Sequence, residues 1–109
     1  MKVRFREETL SELFYTGSTS DRKYRNICRN KKLLTGYVNA VRAMMGMDNV
    51  EGLKRLSFLH YERLKYQRDE PRSSVRIANG HIERLIFTET DDGIEIELIE
   101  IDSTHYGNR

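Results

Sequence analysis

Cysteine, proline and tryptophan are almost missing from this chain of 109 residues, which contains one, one and none of them, respectively. The single cysteine, Cys28, cannot form an intramolecular disulfide, and a cysteine-rich metal site is excluded. No apolar run approaches the roughly 18 residues of a membrane span. The opening segment MKVRFREETL also lacks the apolar stretch of a secretory signal. We therefore expect a cytoplasmic protein with no membrane partner.

Several signatures of enzymes and cofactor sites are also missing. The sequence contains no nucleophile elbow, no phosphate-binding P-loop and no Rossmann glycine fingerprint. No grouping of metal-ligating residue types is visible, and there is no internal repeat. A chain of this length buries roughly two thirds of its unfolded surface. The sequence therefore predicts a single domain, residues 1–109, with one modest core and with neither a cofactor nor a metal.

Charge is distributed unevenly along the chain, although the formal net charge is only +2. Through Gly80 there are 17 lysines and arginines against 9 acidic residues, and from His81 onward there are 2 against 8. A basic body followed by an acidic C-terminal part suggests a polyanionic partner for one face. Ordinary solvated surface is an equally good interpretation of this asymmetry alone.

Apolar periodicity predicts helices in the first half and strands in the second. KVRFR alternates as a short strand, EETLSELFY is helical and ends at the loop TGSTSD, and a second helix runs from about Tyr24 to Met45. The period then changes to two in four segments that are separated by turn residues: LSFLHYERLKY, SSVRIAN, IERLIFTE and GIEIELIEID. The "DDG" before the last segment is a hairpin signal.

These elements predict an α+β fold. We expect a short N-terminal strand and two helices packed on one face of a mostly antiparallel sheet of four to five strands. The other face stays open to a ligand. In the last segment Ile94, Ile96 and Leu98 share one face, whereas Ile99 and Ile101 lie on the other. Either a bulge shifts the register near Leu98, or both faces are partly covered.

Basic residues recur along the predicted sheet, and six occur within 22 positions. Such a surface could bind several phosphates of a nucleic acid. The candidate RNA-binding residues are Arg63, Lys65, Arg68, Arg72 and Arg76, and Arg84 follows on the fourth strand. Tyr61, Tyr66 and Tyr106 could stack on unpaired bases. The alternative is that these cations form the solvated sides of ordinary strands.

Three residues form a plausible RNA-cleaving set. Arg84 lies in the most apolar strand, where an arginine is costly unless a carboxylate or a phosphate accompanies it. His60 and His105 lie near the ends of two other strands. Attack of a ribose 2′-hydroxyl on the adjacent phosphate needs a base, an acid and a cation. Two imidazoles can act as the base and the acid, and one guanidinium can act as the cation.

Two segments carry a resemblance to a known family. VRFREETLSELFYTGSTS resembles the opening of HigB-type toxins of the RelE/ParE superfamily, where a strand and a helix end on a turn like Leu13–Thr19. The segment from Leu59 to Tyr106 resembles the sheet of the same family, with a last strand that closes on a histidine. The resemblance extends from Lys2 to Tyr106, and the opening motif is its specific part.

The resemblance implies the toxin of a type II toxin–antitoxin system, a ribosome-dependent mRNA endonuclease that works without a metal. It implies a cognate helix-turn-helix antitoxin of the HigA type in a toxin–antitoxin hetero-oligomer that contacts DNA only through the antitoxin. It also implies that the ribosome and mRNA are partners. His60, Arg84 and His105 fall on family positions.

The chain departs from the family where Ser103 and Thr104 replace an acidic residue and a tyrosine ahead of the last histidine. Asp102 and Tyr106 are the nearby candidates for those roles, but they are out of register. Two other functions therefore stay open. One is a gyrase poison of the ParE type, and the other is a non-catalytic or decayed binding module.

Overall fold

The computed structural model describes residues 1–64 and 70–104, and its strands form a single five-stranded sheet. The sheet order is β1-β5-β4-β3-β2, in which β1 is parallel to β5 and the other neighbouring pairs are antiparallel. The α+β architecture expected from the sequence is therefore confirmed. The strands are β1 (Lys2–Phe5), β2 (Glu62–Arg63), β3 (Ser73–Arg76), β4 (Arg84–Glu89) and β5 (Glu95–Asp102).

The helices cover one face of the sheet. The predicted helix from Tyr24 to Met45 is in fact two helices, because Asn30 interrupts it. The Asn30 Oδ1 accepts hydrogen bonds from the backbone N–H groups of Lys32 and Leu33 at 3.0 and 3.2 Å, as an N-cap residue does. Within the described residues the α-helices are α1 (Glu8–Thr16), α2 (Arg25–Arg29), α3 (Lys31–Gly46) and α4 (Val50–Lys54).

The core lies between these helices and the sheet. Two buried tyrosines form hydrogen bonds in this core: the Tyr37 hydroxyl on α3 donates to the Leu10 carbonyl on α1 at 2.7 Å, and the Tyr24 hydroxyl accepts from the Ile101 N–H of the sheet at 3.3 Å. None of the helices in the described parts of the chain is long and apolar enough to cross a membrane. The sheet contributes the buried side chains Val75, Leu85, Phe87, Ile96, Leu98 and Ile101 to this core.

A β-bulge in β5 explains why apolar residues of this strand lie on both faces of the sheet. Phe87 is paired with Leu98 and Ile86 with Glu100, so that Ile99 is the additional residue between two pairs. Ile99 therefore turns to the helix-free face, where it forms a small buried cluster with Ile86 and Leu64. Both interpretations of the last segment are correct, since the register shifts and each face is partly covered.

The predicted second strand, LSFLHYERLKY, is mostly not a strand. Residues Ser57–Leu59 form a 3₁₀ turn, and His60 then adopts a left-handed conformation with φ 46°. Only Glu62 and Arg63 pair with β3. Lys65 and Tyr66 of this segment lie outside the described residues. Helix α4, capped by the Asn49 side chain on the Gly52 N–H at 2.9 Å, was not predicted either.

Candidate functional site

On one half of the helix-free face, the basic side chains are paired with acidic ones. Lys2 and Arg4 on β1 lie 4.0 and 2.8 Å from the Glu95 carboxylate on β5. Arg6 lies 2.6 Å from Glu70 and 2.9 Å from Glu97. The cations of β1 are therefore paired with acidic residues, and this half of the face offers little net positive charge to a polyanion.

The other half contains a row of charged residues across three strands. Arg84 on β4 is directly opposite Arg76 on β3 and directly opposite Asp102 on β5. Residues directly opposite in a ladder point to the same face, and like charges in these positions are destabilising. Two adjacent guanidiniums therefore favour an anion on this face, and Asp102 supplies one negative charge beside them.

Arg84 is held by several groups of the protein. Its Nε donates to the Ser74 hydroxyl at 2.8 Å, and its Nη2 donates to the backbone carbonyl of His60. The same Nη2 lies 3.9 Å from the Glu62 carboxylate. Only 15% of the Arg84 side chain is exposed, so its guanidinium is fixed in position at the rim of the face.

His60 and Arg84, two of the predicted catalytic residues, therefore meet through the backbone of His60. The His60 residue is exposed, and it is the one non-glycine residue with positive φ in the described part of the chain. Such a conformation costs roughly 1–2 kcal/mol, and strained residues of this kind cluster at functional sites. His60 is thus an exposed residue whose backbone contacts Arg84.

Asp102 ends the row and is buried at the last position of β5. Its Oδ1 accepts hydrogen bonds from the Thr104 N–H at 2.8 Å and from the Thr104 hydroxyl at 2.7 Å. The structure therefore puts this carboxylate on the face of Arg84, in register with it. The remaining two predicted catalytic residues, His105 and Tyr106, lie outside the described residues.

The five predicted RNA-binding residues do not share one surface. Arg63 is directly opposite Ser73, and its guanidinium lies 3.2 Å from Glu89 on the helix side of the sheet. Arg72 lies on the helix-free face, where it is 3.3 Å from Glu70 and 3.9 Å from Glu100. Arg76 donates to the Asn79 side chain at 3.2 Å. Lys65 and Arg68 lie outside the described residues.

Tyr61, expected to stack on a base, is engaged within the protein. Its hydroxyl donates to the Glu89 carboxylate at 2.7 Å and lies 3.0 Å from the Ser73 hydroxyl. Burial raises the pKa of Tyr61, and the Glu89 carboxylate also raises it. The ring packs near Phe87, with 6.2 Å between the ring centroids. Tyr61 therefore stabilises the edge of the sheet and presents little free ring surface.

Phe58 is the aromatic residue that the sequence did not reveal. It lies two residues before His60, in the 3₁₀ turn, and 62% of it is exposed. Its neighbour Leu59 is buried in the core, so the turn anchors one apolar side chain and presents the next one to solvent.

The corner around Arg84 combines guanidinium donors, a buried carboxylate and an exposed imidazole. This combination is suited to a phosphate group, since guanidiniums bind its oxygens and an imidazole can transfer a proton near neutral pH. No protein-family model, no curated protein and no solved structure matches this chain.

Proposed function

We propose that this chain is the toxin of a type II toxin–antitoxin system, a ribosome-dependent endoribonuclease that cuts mRNA and thereby inhibits translation in the cytoplasm. The observation that carries the proposal is the row of Arg76, Arg84 and Asp102 on the helix-free face. Two arginines that are cross-strand neighbours on this face are suited to binding a phosphodiester. The resemblance of the opening motif and of the last strand to HigB-type toxins supports the same function.

The proposed reaction is an attack of the ribose 2′-hydroxyl on the adjacent phosphorus. A base removes the hydroxyl proton while the O2′–P bond forms, and an acid donates a proton to the 5′-oxygen as the P–O5′ bond breaks. His60 and His105 share the roles of base and acid, and Arg84 stabilises the additional negative charge on the phosphate oxygens. The products are a 2′,3′-cyclic phosphate and a 5′-hydroxyl, and the scheme uses no metal.

Asp102 and Tyr106 complete this proposed site. A carboxylate beside an arginine fixes the orientation of the guanidinium through charge-assisted hydrogen bonds. A tyrosine close to the last histidine could hold the reacting nucleotide by stacking. Asp102 is in register with Arg84, which favours the first of these roles.

The partners are those that the resemblance to HigB-type toxins implies, and the basic residues of the site are compatible with them. Arg72 and Arg76 lie on the face of Arg84 and are suited to the message, while Arg63, Lys65 and Arg68 would contact RNA of the ribosome around it. An acidic segment of a helix-turn-helix antitoxin would inactivate the enzyme by covering the same arginines. We expect a toxin–antitoxin hetero-oligomer in which DNA contacts only the antitoxin.

Induced expression without the antitoxin tests this function. The parent chain should arrest growth and produce message ends that are phased with codons. Arg84→Ala and His105→Ala should relieve both effects, whereas Arg4→Ala, which removes an exposed arginine on the neutralised half of the same face, should retain them. Thermal unfolding of each purified variant verifies that it folds. Full toxicity of both site variants would exclude this active site.

The same experiment distinguishes the two alternative functions. Growth arrest with intact message and damaged DNA would indicate a gyrase poison of the ParE type. A parent chain that arrests nothing would indicate a binding module without catalytic activity.

A further inference from the structure

A groove lies between helix α3 and the turn that joins β3 to β4. Its volume is about 560 Å³. Ile77 and Ala78 provide apolar surface, and both are buried parts of the core. The polar lining includes Lys31, Lys32, Asn39 and Asn79. No residue that lines the groove is acidic.

The two lysines have no structural role that the fold explains. Lys31 and Lys32 occupy the first turn of α3, where the helix dipole disfavours a cation. Both residues are exposed, and neither forms an ion pair among the residues that the structure describes. The Asn30 side chain already accepts hydrogen bonds from two N–H groups of that turn, those of Lys32 and Leu33. The lysines therefore add positive charge to the groove at some cost to the helix.

Asn79 connects the groove to Arg76 on the helix-free face. Arg76, which is directly opposite Arg84, donates to the Asn79 side chain at 3.2 Å. Asn79 also lines the groove. Groups that can donate hydrogen bonds to phosphate thus follow one another from Arg84 around the end of the sheet to Lys31 and Lys32.

We infer that this groove binds the backbone of single-stranded RNA that extends beyond the cleaved phosphodiester. The inference rests on the proposed function, and it assigns a second binding segment to the same substrate. Lysine ammonium groups bind phosphates as point charges. The amide groups of Asn39 and Asn79 can donate to phosphate or sugar oxygens, while Ile77 and Ala78 offer apolar contact to a ribose.

Binding of a labelled RNA strand of about ten nucleotides, with 2′-O-methyl groups to prevent cleavage, tests this inference. The measurement is the dissociation constant as a function of salt concentration. For a single strand the slope of log K against log salt is about 0.7 per phosphate contact. The double variant Lys31→Ala/Lys32→Ala should therefore reduce the magnitude of the slope by about 1.4. Arg42→Ala, which removes an exposed cation of the same helix outside the groove, should leave it unchanged.

The outcomes separate this inference from the proposed function. A lysine variant with the parent's slope, or an equal loss in Arg42→Ala, overturns the groove inference even if the parent chain cuts messages. A parent that binds the strand through the lysines but cuts no message supports the groove and contradicts the nuclease. Stronger binding of a duplex than of the single strand also overturns the inference. Because the substitutions remove unfavourable cations from a helix N-terminus, misfolding does not explain a loss of binding.

Discussion

Helix α3 contacts the end of strand β3 without an intervening side chain, at Gly36 and Ile77. A Cβ atom at position 36 would lie 1.7 Å from the carbonyl oxygen of Ile77 and 2.7 Å from its carbonyl carbon. Glycine within a helix costs about 1 kcal/mol relative to alanine. The close approach of the two backbones leaves no room for a Cβ atom, which explains why a glycine is found at position 36 despite this cost.

Gly36→Ala should lower the free energy of unfolding by about 3 kcal/mol, because backbone atoms must separate to admit the methyl group. Gly46→Ala is the matched control. Position 46 belongs to the same helix and has no atom within 4 Å of an added Cβ, so that variant should gain up to about 1 kcal/mol. Urea unfolding measures both. A Gly36→Ala chain as stable as the parent would contradict this helix–strand contact.

The ion pair of Arg6 and Glu70 should make stability depend on pH in the acidic range. Two hydrogen bonds from Arg6, at 2.6 and 3.0 Å, lower the pKa of the Glu70 carboxyl. A carboxyl with a lowered folded pKa stabilises the protein above its unfolded pKa and loses this contribution as the pH falls through its folded value. Because Glu70 is 36% exposed, screening limits the contribution to about 0.5–1 kcal/mol.

Glu70→Gln should therefore be less stable than the parent at pH 7 by this amount. The difference should shrink as the pH falls below 4.5, the ordinary pKa of a glutamate, and also in 1 M salt. Denaturant unfolding at several pH values measures it. If the free energies of unfolding of the two proteins differ by the same amount at every pH, the ion pair makes no pH-dependent contribution to stability.

Substitutions of His60 should separate stability from activity. Glycine adopts positive φ without steric cost, so His60→Gly should be more stable than His60→Ala by about 1 kcal/mol. Both variants lack the imidazole and should lose RNA cleavage if His60 is the acid or the base. Thermal unfolding and a cleavage assay measure the two properties. Equal stability of the variants would contradict the left-handed backbone, and unchanged cleavage would remove His60 from the site.

Phe58 should contribute to RNA binding by stacking on a base near His60. Stacking is worth about 1–3 kcal/mol per base, so Phe58→Ala should weaken the binding of a single strand roughly 5- to 150-fold. The side chain is 62% exposed, so the fold should tolerate the change. Tyr15→Ala is the control, since Tyr15 is an aromatic residue of α1 that is 69% exposed. Equal effects of both substitutions would indicate that Phe58 has no specific role.

The parts of the fold that depend on local pattern were predictable. Alternation identified β1, β4 and β5, and the "DDG" turn joins the last two strands, with Gly93 at φ 71°. Apolar residues on both faces of the last segment predicted either a bulge near Leu98 or two partly covered faces, and the structure has both. The interruption of the second helix was missed because the apolar period continues through Ile27 and Leu33, which masks the capping role of Asn30.

The charge of the helix-free face was not predictable, because it depends on contacts between distant parts of the chain. The parallel pairing of β1 with β5 brings Lys2 and Arg4 opposite Glu95 and Glu97, more than 90 positions away. The excess of cations in the first part of the sequence is therefore partly cancelled in space. Arg84, in contrast, stood out in the sequence because it interrupts an apolar strand, and it does lie at the centre of the candidate site.

The additional residue in β5 determines which side of the sheet the last row of charges occupies. If β5 had no bulge and Ile99 were paired with Ile86, Glu100, Ile101 and Asp102 would each rotate to the opposite face. The carboxylate of Asp102 would then enter the apolar core, and Ile101 would leave the contact with Tyr24 for solvent. The bulge at Ile99 is thus a condition both for an apolar interior and for a carboxylate beside Arg84.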